Sequence, residues 1–93
     1  MLTDRKICED DIRALYELLV SVSSVEDCRA LFEDLCTIKE VEQMSQRVKA
    51  AKLLLEGKTY TQVMEQTEIS SATLSRVSRC VQYGSGYTRF LNK

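Results

Sequence analysis

The segment from Lys58 to Tyr83 constrains the fold most, because it holds two short stretches of helical periodicity on either side of a tight break. Two helices that cross steeply over a turn of three or four residues share a small apolar junction. Four apolar residues are available for that junction: Val63, Ile69, Leu74 and Val77. At about 100° per residue, Val77 and Val81 lie on the same side of the second helix as Leu74. The pattern predicts a helix-turn-helix with one packed side and one open side.

The open side of that second helix carries hydroxyl groups and arginines but no carboxylate. Its polar residues are Ser71, Thr73, Ser75, Arg76 and Arg79. An ordinary helical hairpin with a solvated polar side is the simpler explanation of an amphipathic pair. A solvated helix, however, usually mixes charges of both signs. The absence of acids therefore favours DNA binding.

Charge is segregated along the chain. Residues 1–45 hold 5 Lys+Arg and 11 Asp+Glu, whereas residues 46–93 hold 8 and 3, which together give the net charge of −1. A sequence pI of 5.4 would disfavour nucleic acid if charge were evenly spread. A duplex instead senses the local potential within roughly 8 to 10 Å. The basic half can therefore dock on DNA while the acidic half faces elsewhere.

The chain is short, and a domain of 93 residues buries a limited fraction of its surface. A second copy of the chain is a natural source of additional core. No apolar run approaches the roughly 20 residues that span a bilayer, and no signal peptide is visible. We therefore expect no membrane partner.

The cysteines do not form a recognisable metal or disulfide pattern. They are Cys8, Cys28, Cys36 and Cys80, with no C-x-x-C pair, and the sequence has no histidine. Mixed zinc sites need histidine, and a four-cysteine site needs closer spacing. We expect buried thiols, no cofactor or metal, and a reducing compartment, the cytoplasm.

Apolar residues spaced three and four apart predict two helices near the start of the chain. The first runs from Cys8 to Val22. The segment Ser23–Glu26 has the spacing of a capping box for a second helix, which runs from Val25 to Leu35. That second helix is expected to direct five residues inward: Val25, Cys28, Leu31, Phe32 and Leu35.

A third and longest helix opens with capping-box spacing at Thr37–Glu40 and is stopped by Gly57. Its apolar stripe consists of Ile38, Val41, Met44, Val48, Ala51 and Leu55. Leu53 and Leu54 widen that stripe beyond a single seam, which we interpret as surface for a second subunit. A third helix in a monomeric bundle would produce the same pattern.

The remaining boundaries come from caps. A capping box at Thr59–Gln62 opens the fourth helix, Ser70 or Ser71 caps the fifth, and Gly84 ends it. The tail, residues 86–93, has the apolar residues for one further turn. These boundaries predict an all-α protein with five to six helices.

The turn before the fifth helix has an unusual residue. Glu68 occupies the position where helix-turn-helix proteins favour glycine, because the backbone there is often left-handed. We therefore expect a looser or differently shaped turn.

Three stretches carry a family pattern: Thr37 through Arg47, the run R-V-K-A-A-K-L-L-L-E-G, and the run A-T-L-S-R. They resemble the Trp repressor superfamily, and the chain length looks like its smaller YerC/YecD branch. The resemblance implies an intertwined homodimer that presents two helix-turn-helix units to a palindromic operator in double-stranded DNA. It also implies one domain over residues 1–93, with dimerisation helices in 1–57 and the helix-turn-helix in 58–83. Two-fold symmetry would set half-sites about 34 Å apart.

The resemblance also suggests an effector pocket. In the Trp repressor, the positions that match Thr37, Arg47 and Arg76 help to hold the corepressor amino acid. The next position, a glycine beside the indole in that protein, is Val77 here. A β-branched side chain would fill the space of the ring, so we expect no tryptophan corepressor. The protein could bind a different small-molecule effector or none, because Thr37 can also be explained as a helix cap and Arg47 as a member of an ion pair.

We predict a sequence-specific transcriptional repressor with two sets of DNA contacts. Phosphates would be held by Lys58, Thr61, Gln62 and Arg79. Bases would be read by Ser70, Ser71, Ala72, Ser75 and Arg76, with Thr73 on the same surface. The alternative is a helical adaptor that dimerises and binds a protein partner. An enzyme is disfavoured because histidine and a glycine-rich phosphate loop are missing.

Overall fold

The computed structural model describes residues 8–91, and this part of the chain contains helices and no strand. The helices are α1 (Glu9–Val20), α2 (Val25–Leu35), α3 (Ile38–Leu55), α4 (Tyr60–Gln66), α5 (Ser71–Tyr83) and α6 (Gly86–Leu91). The all-α prediction of five to six helices is therefore confirmed. Two compact units divide the chain, the first ending at Thr37 and the second beginning at Ile38.

The first unit contains α1 and α2, which begin and end close to the predicted boundaries. The α1 helix has three acids in its first turn, where they complement the helix dipole. The predicted capping box at Ser23 and Glu26 was wrong by one residue. Ser24 is the cap, and its side chain accepts a hydrogen bond from the Asp27 amide at 3.0 Å.

The apolar residues of α1 and α2 are not buried. No residue of α1 or α2 is buried, and Val25 is 80 % exposed. The prediction that α2 directs Val25, Cys28 and Leu35 inward is therefore wrong, whereas Leu31 and Phe32 are half-buried. Two helices of 12 and 11 residues do not enclose a core by themselves.

The second unit has the core of the described structure. Five buried residues form it: Ala50, Ala51, Val63, Leu74 and Val77. The two alanines let α5 approach α3 closely, and α4 covers one edge through Val63. Three members of the predicted junction are thus buried, and the fourth, Ile69, packs against them.

Partly buried residues from the ends of α3 and α5 and from α6 surround this core. Leu53, Leu54, Val81, Tyr87 and Leu91 pack around the buried cluster. Residues 86–91 therefore form the predicted further turn and contribute apolar contacts. The last two residues of the predicted tail, 92 and 93, lie outside the described residues.

The burial of the apolar residues of α3 differs from the prediction. Leu53 and Leu54, which we assigned to a second subunit, pack against the chain's own core. Ile38 is 72 % exposed and Val48 is 41 % exposed. The surplus apolar surface therefore lies at Ile38 and Val48 of the predicted stripe, whereas Ala51 of the same stripe is buried in the core beside Ala50.

Gly57 ends α3 with a left-handed backbone, φ +92°. The Lys58 amide donates to the Leu53 carbonyl and the Gly57 amide donates to the Leu54 carbonyl, both at 3.0 Å. These two bonds form a Schellman motif, which satisfies carbonyls at the helix end. Gly57 lies two residues before Thr59, the cap of α4.

The four thiols are free, and the expectation that they are buried was wrong. Cys8 and Cys28 are exposed, whereas Cys36 and Cys80 are half-buried. Cys28 and Cys36 belong to the first unit, where two short helices leave most side chains uncovered.

Among the described helices, none is long and apolar enough to cross a membrane.

Candidate nucleic-acid interface

The start of α4 is fixed by a reciprocal cap. Thr59 accepts a hydrogen bond from the Gln62 amide at 3.2 Å, and the Thr59 amide donates to Gln62 Oε1 at 2.8 Å. The predicted capping box is therefore confirmed. It holds the exposed Thr61 and Gln62 at the first turn of α4, with Lys58 just before it.

The turn between α4 and α5 closes without a left-handed residue. Gly57 is the only residue with positive φ in the described part of the chain, and Thr67 is extended. The turn is thus shaped differently from a glycine turn, as expected. Thr67 Oγ1 donates to the Val63 carbonyl at 2.7 Å, and the Glu68 amide donates to Gln46 Oε1 on α3 at 2.9 Å.

The start of α5 is also capped by a side chain. Ser70 Oγ accepts from the Thr73 amide at 3.2 Å and donates to Thr73 Oγ1 at 3.1 Å. Ser70 is therefore the cap, and Ser71 is the first residue of α5. Both hydroxyls of the Ser70–Thr73 pair are engaged before any partner binds.

The open side of α5 is exposed as predicted except at Thr73. Ser71, Ala72, Ser75, Arg76 and Arg79 are exposed, while Thr73 is half-buried. The opposite side is fixed in the core through Leu74 and Val77. The salt bridges Arg13–Glu17 and Arg29–Glu33 of the described residues lie in α1 and α2 and do not involve Arg76 or Arg79. Both guanidinium groups are available to an anionic partner.

A polar groove of about 830 Å³ lies in the second unit between α3 and the start of α5. Its lining from α3 is Lys39, Glu42, Gln43, Ser45, Gln46 and Arg47. Its lining from the turn and α5 is Glu68, Ile69, Ser70 and Thr73. The groove carries charges of both signs and adjoins the open side of α5.

The profile of the Trp repressor protein family matches residues 10–93. The chain belongs to the Trp repressor family. It is 39 % identical over 80 residues to the uncharacterised protein YerC of Bacillus subtilis, which covers 86 % of this chain and 77 % of YerC.

Solved structures of Trp repressor relatives share this fold. A TrpR-like protein from Eubacterium eligens has a TM-score of 0.83 at 38 % identity, over 89 % of this chain and 87 % of that one. A Staphylococcus aureus protein proposed to be a Trp repressor has a TM-score of 0.85 at 32 % identity, over 99 % and 93 % of the two chains.

The residues suggested by the Trp repressor resemblance for an effector pocket are spread over different environments. Arg47 lines the polar groove, Thr37 and Arg76 are exposed, and Val77 is 2 % exposed within the core. Of these four residues, only Arg47 is among the described residues that line the groove. A ligand of that groove would contact α3, the turn before α5 and the start of α5.

No local sequence pattern indicates that Gln46 supports the turn before α5. Its bond to Glu68 joins residues 22 positions apart, so no local spacing signals it. A polar residue on the groove side of α3 looks like any solvated residue until the turn is placed beside it. The anomalous Glu68 was the sole hint that the turn needed another support.

Proposed function

We propose that this Trp repressor family member is a sequence-specific DNA-binding repressor whose α4–α5 pair acts as a helix-turn-helix. One observation carries the proposal. The exposed side of α5 presents Arg76 and Arg79 beside small hydroxyl residues, with no acid in the helix, while its other side is locked in the core. Membership of a regulatory family supports it.

Base reading would rest on α5. Arginine pairs with both major-groove acceptors of guanine, so Arg76 would read that base. Ser71, Ala72 and Ser75 are small enough for close approach, for contact with a thymine methyl group, or for bridging water. The capped start of α5 at Ser70 fixes these side chains before binding.

Phosphate contacts would set the register without reading sequence. Lys58, Thr61 and Gln62 lie together at the start of α4, and Arg79 lies one turn beyond Arg76 on α5. Gln62 Oε1 is committed to the Thr59 amide, so a phosphate contact would fall to Gln62 Nε2. Charge at these positions would also accelerate association with DNA.

A second copy of the chain would complete the fold, as an intertwined homodimer. The first unit buries no residue of α1 or α2, and α3 leaves Ile38 and Val48 exposed. Burial of this apolar surface would stabilise a dimer by about 25 cal/mol per Å² removed from water. A two-fold dimer would present two α5 helices to a palindrome with half-sites about 34 Å apart.

We propose that operator binding does not need tryptophan. Val77 lies in the core at the position where the Trp repressor has glycine beside the indole. The groove beside Arg47 leaves space for another polar effector. The site of action would be the cytoplasm, with no membrane partner.

Salt dependence tests DNA binding against the alternative of a protein adaptor. Affinity for a duplex should fall linearly on a log–log plot against salt, with a slope of about −0.9 per neutralised phosphate. An adaptor contact would not release counterions from DNA, and the protein would show no salt-dependent duplex binding. That result would overturn the proposal.

A further inference from the structure

The hydrogen bond from the Glu68 amide to Gln46 Oε1 joins the turn before α5 to α3. The caps of α4 and α5 join residues only three positions apart, and so they order each helix end locally. The Gln46 bond instead fixes the turn to a different helix. It lies in the polar groove, and Gln46 is half-buried there.

We infer that Gln46 is a positioning residue for DNA reading, which acts by holding the Glu68 backbone and hence the first turn of α5. The inference rests on the proposed function. Gln46 would not need to touch DNA itself, since its amide oxygen is engaged with the turn.

The turn needs this support because of how it is built. No residue in it is left-handed, so the compact glycine geometry is absent. Thr67 ties the end of α4 to Val63, and Ser70 caps α5, which leaves Glu68 and Ile69 as the link between them. Ile69 packs against the core, and the Glu68 amide is held by Gln46.

Loss of the bond should affect DNA reading more than folding. The buried cluster at Leu74 and Val77 would still hold the middle of α5 against α3. The first turn, which carries Ser71 and Ala72, would gain freedom that DNA binding must then remove. Base reading depends on that orientation, whereas phosphate contacts tolerate more movement.

The test uses Gln46→Met, which keeps the length of the side chain and removes the acceptor. Gln43→Met is the matched control, because Gln43 lines the same groove one turn earlier and is not the partner of the Glu68 amide. Gln46→Glu keeps an acceptor and serves as the conservative variant. Readouts are Glu68 amide exchange by NMR, affinity for selected and scrambled duplexes, and the thermal midpoint.

We expect Gln46→Met to accelerate Glu68 amide exchange and to weaken the selected duplex about threefold to tenfold, because DNA binding must then order the side chains that the loosened turn has freed. Scrambled DNA should lose less, so the specificity ratio falls. Gln43→Met should change neither quantity, and Gln46→Glu should keep the Glu68 amide protected. The thermal midpoint should move little.

Unchanged Glu68 exchange in Gln46→Met would overturn the inference. Equal losses on both duplexes would also overturn it, because they would indicate a direct phosphate contact. If the unaltered protein binds no duplex, the proposed function fails, while the exchange measurement still decides whether Gln46 holds the turn.

Discussion

Thr59 and Gln62 cap each other, each accepting the other's backbone amide, at 3.2 and 2.8 Å. The exchange satisfies two amides at the start of α4, which has only 7 residues. Such a short helix has little intrinsic stability and depends on its ends and on packing. The cap therefore holds Thr61 and Gln62 in place for phosphate.

Thr59→Ala should lower the free energy of unfolding by about 1 kcal/mol, because one of the capped amides loses its acceptor. Urea unfolding measures this loss. Thr61→Ala is the matched control, since the side chain is exposed and the change in stability should stay within about 0.5 kcal/mol. If both variants lose the same stability, the cap is not what holds α4.

Arg76→Ala should cost about 1 to 3 kcal/mol of binding to the preferred duplex and relax the choice of base at one position. Arg79→Ala, on the same helix, should weaken all duplexes similarly and reduce the salt slope by about 1. Competition titrations with selected and scrambled DNA separate the two effects. A uniform loss in Arg76→Ala would show that Arg76 binds phosphate and reads no base.

Val48→Asp should separate the proposed dimer while the second unit stays folded. Val48 is exposed on α3, and a carboxylate there would be buried without a partner in an apolar contact. We expect the dimer dissociation constant to rise at least about tenfold. Sedimentation equilibrium measures the shift, and Val48→Thr, similar in volume and uncharged, should shift it much less. A dimer unchanged by Val48→Asp would place the interface elsewhere.

Gly84→Ala should destabilise the end of α5 by about 1 to 3 kcal/mol. A Cβ there would lie 2.7 Å from the Cys80 carbonyl oxygen, which is already the acceptor of the Gly84 amide. A Cβ at Gly86 meets nothing within 4 Å, so Gly86→Ala should be neutral or slightly stabilising. Thermal unfolding of the two variants compares them, and equal midpoints would contradict the close approach at Gly84.

Local patterns predicted the helices well. Apolar periodicity and caps placed α2 at Val25–Leu35, and the Thr59–Gln62 box placed the start of α4. The cap of α2 shows the limit of a pattern. Ser23 and Ser24 each have an acid three residues later, and the hydrogen bond from the Asp27 amide to Ser24 Oγ decides between them.

Burial was harder to predict than helix position. The helical period of the apolar residues in α2 was predicted correctly, yet Val25 and Cys28 are exposed. The period shows which residues share one side of a helix, but it does not show what covers that side. On α3, Leu53 and Leu54 face the core while Ile38 and Val48 do not. The small residues Ala50 and Ala51 select the packed side, and that choice depends on α5.

In the candidate site, too, local features were predictable and long-range contacts were not. The exposed residues of α5 follow from helix geometry once Leu74 is known to point inward, so their display was predictable. The support of the turn was not, because it comes from Gln46 across 22 positions. A contact between a side chain and a distant backbone amide leaves no periodic trace in the sequence.

Selection of bound duplexes from a random pool is the decisive experiment for DNA reading by paired α5 helices, because symmetry and spacing are read from one enriched sequence. We expect a palindrome whose half-sites are centred about 34 Å apart, one turn of B-form DNA. Recovery of a single asymmetric site, or no enrichment over the starting pool, would contradict the proposal that the two α5 helices of a dimer read DNA.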